Sequence, residues 1–376
     1  VTSIDRLSTD YPFSYQDWEL RCQKQLDQGA FGYIQSGSGA ETTLDQNDLA
    51  FERLALIPKV LKDVSKRDLS VSLFDRHHQF PFLMAPVGFQ AIVHPDGEKA
   101  SARAARKQGV PYIASTVSSA SIEEISDIMS DCPHYFQLYW PNDQAVAESF
   151  IKRAEAAGYH GIVVTVDTPF LGWREVDMTN QYFPMQTGAG IANFVTDPVF
   201  NQRYNPDFSL SQTEIIQSIR SILFKQNLTW ENIKWLQEIT DLPIILKGIL
   251  HVDDAKKAAE LGVDGIIVSN HGGRQLDGVI SGLEALPAIV EAVDDKVAVL
   301  VDGGIRRGAD ILKAFALGAH AVLLGRPYVY GLVDGQGGVT AVLNNLIKDL
   351  DTSLAIVGVN SLAQLNRDYI KWLGYN

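Results

Sequence analysis

Eight times between residues 82 and 325 a short apolar run gives way to a longer stretch of helical character. The runs are 82–85, 112–115, 135–139, 162–167, 244–247, 266–269, 298–302 and 321–325. They are apolar on successive rather than alternate residues, which marks a strand buried on both faces. Stretches such as 144–157, 253–261 and 310–317 read as helices between them. Several stop at a glycine (Gly109, Gly158, Gly262, Gly318), a common way to end a helix. Eight β-α repeats predict an α/β fold, the closed (β/α)8 TIM barrel. An open doubly wound sheet normally shows Gly-x-Gly-x-x-Gly after its first strand, and Ala85-Pro86-Val87-Gly88 stands there instead.

Around the barrel, residues 1–79 read as an N-terminal helical segment, with helices at 14–25 and 43–54. Gly32, Gly37 and Gly39 predict a flexible turn that carries Tyr33. The connection after the fourth strand holds some 75 residues, far more than a usual βα loop. Its part 175–242 is expected to be a lid over the catalytic face, the alternatives being a peripheral decoration or an oligomer contact. The whole of 1–376 reads as a single domain, with the barrel at 80–376.

Composition narrows the partners. A net charge of −13 leaves no basic stripe for nucleic acid, although a local positive pocket for a small anion remains open. Cys22 and Cys132 are the only cysteines, so neither a disulfide framework nor a metal cluster is expected, and a reducing, cytoplasmic compartment fits. No apolar run approaches the ~18 residues of a membrane span. The stretch 1–10 lacks the layout of a signal peptide, and 373–376 matches no retention or peroxisomal address.

Chemistry collects where such a barrel keeps it, at the C-terminal ends of the strands. Gln137 and Tyr139, Thr165 and Asp167, Lys247, Ser269 and His271, Asp302, and Gly325 with Arg326 fall there. Unpartnered, each buried polar group costs about 1–3 kcal/mol, so their concentration at one end calls for a ligand or a network. In Ser269-Asn270-His271-Gly272-Gly273-Arg274-Gln275-Leu276-Asp277, a side chain that titrates near neutrality stands three positions from a guanidinium fork. That pair suits holding an acid by its carboxylate while taking a proton nearby. Asp302-Gly303-Gly304-Ile305-Arg306 and Gly325-Arg326 offer backbone amides and guanidiniums after strands seven and eight, the usual phosphate cradle of this barrel. Lys247 is suited to a Schiff base or to stabilising negative charge on a bound ring, and the second accounts better for the remainder.

Taken together, Ser269 to Asp277, Thr165-Val166-Asp167-Thr168-Pro169 with Arg174, Phe136-Gln137-Leu138-Tyr139, Leu246-Lys247-Gly248 and Asp302-Gly303-Gly304-Ile305-Arg306 resemble the FMN-dependent L-2-hydroxy-acid oxidising family. That family includes glycolate oxidase, lactate oxidase and lactate monooxygenase, and the resemblance covers essentially the whole chain. Leu171-Gly172-Trp173-Arg174 and Phe194-Val195-Thr196-Asp197-Pro198-Val199-Phe200 are most similar to the lactate monooxygenase branch. The resemblance implies that His271 is the base and that Asp167 stabilises the imidazolium it becomes. It implies that Arg174 and Arg274 grip the substrate carboxylate, with Tyr33 and Tyr139 hydrogen-bonded to its carboxylate or hydroxyl end. Lys247 would steady the reduced flavin. Ala85, Pro86, Val87, Gly88, Ser115, Gln137, Thr165 and Ser269 would bind the flavin, and Asp302, Gly303, Gly304, Arg306, Gly325 and Arg326 its ribityl phosphate.

The activity implied is oxidation of a small L-2-hydroxy acid, foremost L-lactate to pyruvate, with O2 as acceptor and H2O2 as product. The alternative is L-lactate 2-monooxygenase, giving acetate, CO2 and water. Gly88 stands where the oxidase branch usually has Ala, so extra space is expected there. A barrel isomerase with a phosphorylated substrate is the reading from another class, and the Arg174–Arg274 pair counts against it. Trp140, Val117 and the aromatic residues of 175–242 suggest a small apolar pocket, and the resemblance implies a homotetramer.

Overall fold

The computed structural model describes residues 10–374, so all of the 1–10 stretch but Asp10 lies outside the described residues, as do 375–376. Strands Phe82–Met84, Tyr112–Ser115, His134–Leu138, Ile162–Thr165, Ile244–Ile249, Gly265–Val268, Ala298–Val301 and Ala321–Leu324 form a closed barrel in sequence order. Neighbouring strands pair in parallel, and the eighth closes on the first through Val322 opposite Phe82. The TIM barrel expected from the alternation is the fold. Strand side chains split into two layers. Leu83, Ile113, Val163, Ile245, Ile267, Leu300 and Leu323 fill the barrel interior. Their neighbours, such as Phe82, Phe136, Val164 and Ile266, pack outward against the helices. Burial on both faces is why the strands read as unbroken apolar runs.

Several strand ends fall short of their predicted limits. Tyr139, Asp167, Ser269, Asp302 and Gly325 lie just past the last ladder pair, in the loops, where side chains are free to turn over the barrel mouth.

The N-terminal segment is less helical than expected. Helices α1 (Tyr15–Gln25), α2 (Gln28–Gln35) and α3 (Thr42–Glu52) are joined there by short strands. Leu54–Leu56 pairs antiparallel with Ile370–Trp372, so the second predicted helix stops before Leu54. Val71–Leu73 and Arg76–His78 form a hairpin that plugs the lower end of the barrel, with Phe74 edge-on to Tyr135 at 5.8 Å. Tyr33 sits on α2 rather than on a glycine turn. Asp27 caps that helix by accepting from the Ala30 amide at 2.9 Å. Gly32 is there for space, since a Cβ would stand 2.7 Å from Asn180 Nδ2.

The stretch 175–242 is not a loose loop. It carries helices Glu175–Thr179, Ala192–Val195, Pro198–Tyr204, Gln212–Ile222 and Trp230–Ile239. Phe194 and Phe200 are buried, and Phe194 packs on Phe150 at 5.0 Å, which anchors its middle to the barrel's outer layer. Its ends, around Glu175–Thr179, Pro184–Thr187 and Phe224, reach the barrel mouth.

Candidate active site

One cavity of about 560 Å3 opens over the C-terminal ends of the strands. Tyr33, Ala85, Pro86, Val87, Gly88, Tyr139, Arg174, Lys247, His271, Arg274, Asp302, Gly303, Gly304, Arg306, Gly325 and Arg326 all line it. Residues placed by sequence on six of the eight strand ends, on the N-terminal segment and on the long connection are therefore brought to one space.

His271 follows the sixth strand with a left-handed backbone, φ 61°. A non-glycine residue there is strained and must be held by its surroundings. Its amide donates to Ser269 Oγ at 3.0 Å, and Asn270 Oδ1 accepts from the Gly273 amide at 3.0 Å. The imidazole Nδ1 lies 2.9 Å from Asp167 Oδ1, and Nε2 lies 3.2 Å from the Tyr139 hydroxyl. Burial pushes His271 below its ordinary value, with Lys247 adding to the effect and Asp167 opposing it. Burial alone would raise Asp167, but His271, their hydrogen bond and Lys247 outweigh it and hold the carboxyl below its usual range. The pair is thus a neutral imidazole and a carboxylate. A carboxylate can only accept, so the proton sits on Nδ1 and Nε2 offers its lone pair to the cavity.

Lys247 is 4 % exposed, with its Nζ 3.0 Å from Ser269 Oγ and 3.1 Å from Asp302 Oδ2. Burial lowers it, but Asp302 and Asp167 more than offset that, so it stays an ammonium. Arg174 and Arg274 flank the face of Tyr33, with guanidinium carbons 5.9 and 4.7 Å from the ring centre. The Arg174 Nε donates to the Arg274 carbonyl at 3.2 Å. Arg274 Nη1 donates to the carbonyls of Tyr33 and Ser36 at 2.6 and 2.7 Å, while its buried Nη2 has no partner among the described residues. Burial and the neighbouring Arg174 pull Arg274 down to about 10. Two adjacent cations, Arg174 buried and Arg274 half-buried, with an N–H unpartnered among the described residues, make a place for a carboxylate.

Four expected flavin contacts stand one step away. Ser115, Gln137 and Thr165 are buried and linked along the strand ends, Ser115 Oγ to Gln137 Oε1 at 3.2 Å and Gln137 Nε2 to Thr165 Oγ1 at 3.0 Å. Ser269 joins Lys247 to His271 as described. None of the four is on the cavity wall. Trp140 also departs from expectation: it is buried against Trp235 at 5.6 Å and faces away. The space foreseen at Gly88 is filled, since a Cβ would lie 2.4 Å from Val117 Cγ2 and 2.6 Å from its carbonyl oxygen. Val117 and, from the long connection, Phe183 and Phe224 line the cavity as expected, while Phe89, Met185 and Leu223 complete the apolar wall and escaped the sequence reading. Phe224 meets Tyr139 edge-on at 5.3 Å. Asp177 and Arg220 also reach the cavity. Asp177 was visible in principle, three positions after Arg174.

A barrel mouth that joins a neutral imidazole, two neighbouring guanidiniums and glycine-backed loops with further arginines has the chemistry to take a small acid together with an anionic cofactor. A family model described as FMN-dependent dehydrogenase matches residues 22–372, and the chain belongs to that family. It is 46% identical over 356 residues to an L-lactate oxidase of Lysinibacillus sphaericus (strain C3-41), covering 94% of this chain and 92% of that protein. It is 43% identical to an L-lactate oxidase of Nostoc sp., covering 96% and 98%. Among solved structures, that of mandelate oxidase superposes with a TM-score of 0.86 at 39% identity, covering 97% of this chain and 100% of that one.

The residues present fit FMN. Arg306 Nε and Asp302 Oδ1 are buried polar atoms without hydrogen-bond partners among the described residues, and both side chains line the cavity. At Gly325 a Cβ would have nothing within 4 Å, so a phosphate-sized group can approach the backbone. Arg326, in contrast, already donates to the carbonyls of Ile34, Gly272 and Ser36 at 2.9–3.0 Å. None of the helices among the described residues is long and apolar enough to cross a membrane.

Proposed function

We propose that this protein oxidises L-lactate to pyruvate, with dioxygen as final acceptor and hydrogen peroxide as product. The observation that carries this reading is that His271, with its Nδ1 on Asp167, lines the same cavity as the two neighbouring guanidiniums of Arg174 and Arg274. Arg174 and Arg274 hold the substrate carboxylate, and a bidentate grip fixes the α-carbon in one orientation. Tyr33 and Tyr139 hydrogen-bond its carboxylate and hydroxyl ends. His271 takes the hydroxyl proton at Nε2, which makes the α-hydrogen easier to lose with its electron pair. Asp167 stabilises the resulting imidazolium from the Nδ1 side and fixes the tautomer. FMN, when bound, supplies the two-electron acceptor. Lys247 presents a buried positive charge where negative charge accumulates, and Ala85–Gly88, Asp302, Gly303, Gly304, Arg306, Gly325 and Arg326 surround the place for the cofactor. Ser115, Gln137, Thr165 and Ser269 position Lys247 and the strand ends beneath it.

The 46% and 43% identities to L-lactate oxidases support lactate as the substrate. The chain is read as one catalytic unit, acting in the cytoplasm as a homotetramer. A second reading, L-lactate 2-monooxygenase, rests on Gly88, because the wall there is made by Val117 rather than by a side chain at 88. The two differ in whether pyruvate leaves before oxygen reacts. An anaerobic screen of short L- and D-2-hydroxy acids, followed by product analysis in air, tests both. Loss of the visible flavin bands with L-lactate, and peroxide with pyruvate in air, is the expected result. Acetate and CO2 would favour the second reading, and no bleaching by any 2-hydroxy acid would overturn both.

A further inference from the structure

We infer that Asp177 sets the net charge of the carboxylate subsite, tuning it to a singly charged acid over a doubly charged one. The inference rests on the reading that Arg174 and Arg274 hold the substrate carboxylate. Asp177 lies one short helical turn after Arg174, in Glu175–Thr179, and lines the same cavity as both arginines. Among the described residues its buried Oδ1 has no hydrogen-bond partner, and neither has Arg274 Nη2. The anion therefore faces the cations without being locked to them. Burial raises the Asp177 carboxyl above its ordinary value, while Arg274 and then Arg174 favour its anion.

Two guanidiniums and one carboxylate leave the subsite with a single positive charge. A monocarboxylate brings it to neutrality. A dianion of the same shape leaves an uncompensated negative charge in a largely desolvated space, where each unit of charge is felt strongly. Without Asp177 the subsite would carry two positive charges and the preference would reverse. Acidic residues in the first turn of a helix also stabilise the helix itself. That role acts on stability and is blind to ligand charge, so the two are separable.

Oxamate and oxalate are nearly isosteric and differ by one charge, which makes their ratio the readout. The FMN-loaded Asp177→Asn protein is titrated with each under anaerobic conditions, following the shift of the flavin absorption bands. One charge removed at this range is expected to tighten oxamate about tenfold and oxalate about a hundredfold, so the ratio of dissociation constants moves by about ten. Asp177→Glu is expected to keep the native ratio. If Asp177→Asn does not retain FMN, Asp177→Ser serves with the same expected direction. An unchanged ratio, or a loss of affinity for both ligands, overturns the inference. Arg174→Met in the same titration separates the underlying reading: if neither ligand weakens there, the carboxylate assignment itself falls.

Discussion

Asp167→Asn isolates the electrostatic part of the proposed chemistry with little change of shape. Asp167 Oδ1 lies 2.9 Å from His271 Nδ1 and also accepts from Thr168 Oγ1 at 2.7 Å, while its buried Oδ2 has no partner among the described residues. When Nε2 takes a proton, the full carboxylate faces a full imidazolium. At 2.9 Å and an effective dielectric of ~20 that attraction is worth about 6 kcal/mol, or roughly 10⁴ in rate. Asparagine keeps the packing and about 1 kcal/mol of hydrogen bonding, so the expected loss is about 10³–10⁴ in the rate of anaerobic reduction by L-lactate. Stopped-flow loss of the flavin absorption reads this directly.

The pH profile gives an independent check. Neutral His271 is the active form, so activity rises with pH through its titration. Asp167 opposes the lowering of His271 by burial. Removing its charge must therefore move the acid limb to still lower pH while the plateau falls. A reduction rate within tenfold of the native one, or an acid limb displaced upward, would refute the assignment of Asp167 as the group that stabilises the protonated base.

Other perturbations follow from single geometric facts. Gly304→Ala places a Cβ 2.2 Å from the Asn47 carbonyl oxygen at a φ of +80°, and about 3 kcal/mol of stability should be lost together with FMN retention. A thermal melt within two degrees of native would contradict it. Lys247→Met leaves Asp302 facing an apolar group across a buried site, and denaturant titration should show a loss of about 3–5 kcal/mol. At the plugged end of the barrel, burial pulls His134 down to about 4, with its hydrogen bond to Cys132 opposing and His160 adding. His78 and His160 are lowered too, again chiefly by burial. A histidine lowered on folding stabilises the fold above its unfolded value near 6.5 and loses that contribution as pH falls toward 4. His134 alone should account for about 3 kcal/mol lost across that window, and a flat stability curve there would show that the ring is not buried neutral.

The barrel was legible because its strands are buried on both faces, and eight uninterrupted apolar runs need no long-range information to be seen. Lys247, His271 and Asp167 were legible for the same reason: a charge just past such a run has only the barrel mouth to occupy. The hairpin plug was not legible. Its turn is Phe74-Asp75, with φ of 51° and 58°, where a sequence signal would have been Asn-Gly or a similar pair. Phe74 accepts the strained conformation because its ring is packed against Tyr135. Tyr33 was misplaced because glycines predict backbone freedom, whereas Gly32 answers a close approach by Asn180, distant in sequence. Phe89 was missed because an aromatic residue in a loop carries no period that says which way it faces.

The arginines show why a motif can be right about a residue and incomplete about its work. Arg274 and Arg326 were singled out as ligand binders, yet four of their N–H groups donate to carbonyls near the C-terminus of α2, two at Ser36 and one each at Tyr33 and Ile34. Those carbonyls are the ones a helix leaves unsatisfied, and they carry the negative end of its dipole. The guanidiniums therefore fasten α2 over the barrel mouth and set Tyr33 against the cavity. The same bonds explain how cations from two loops can be buried side by side in one cavity, since part of each charge is met by backbone before any ligand arrives. What remains is directional: Arg274 keeps a single unpartnered Nη2, and Arg326 has all three nitrogens engaged. In the proposed reading the substrate carboxylate is thus left to Arg274 and Arg174, while Arg326 serves the cofactor cradle mainly as charge and as the clamp that joins α2 to the His271 turn through Gly272.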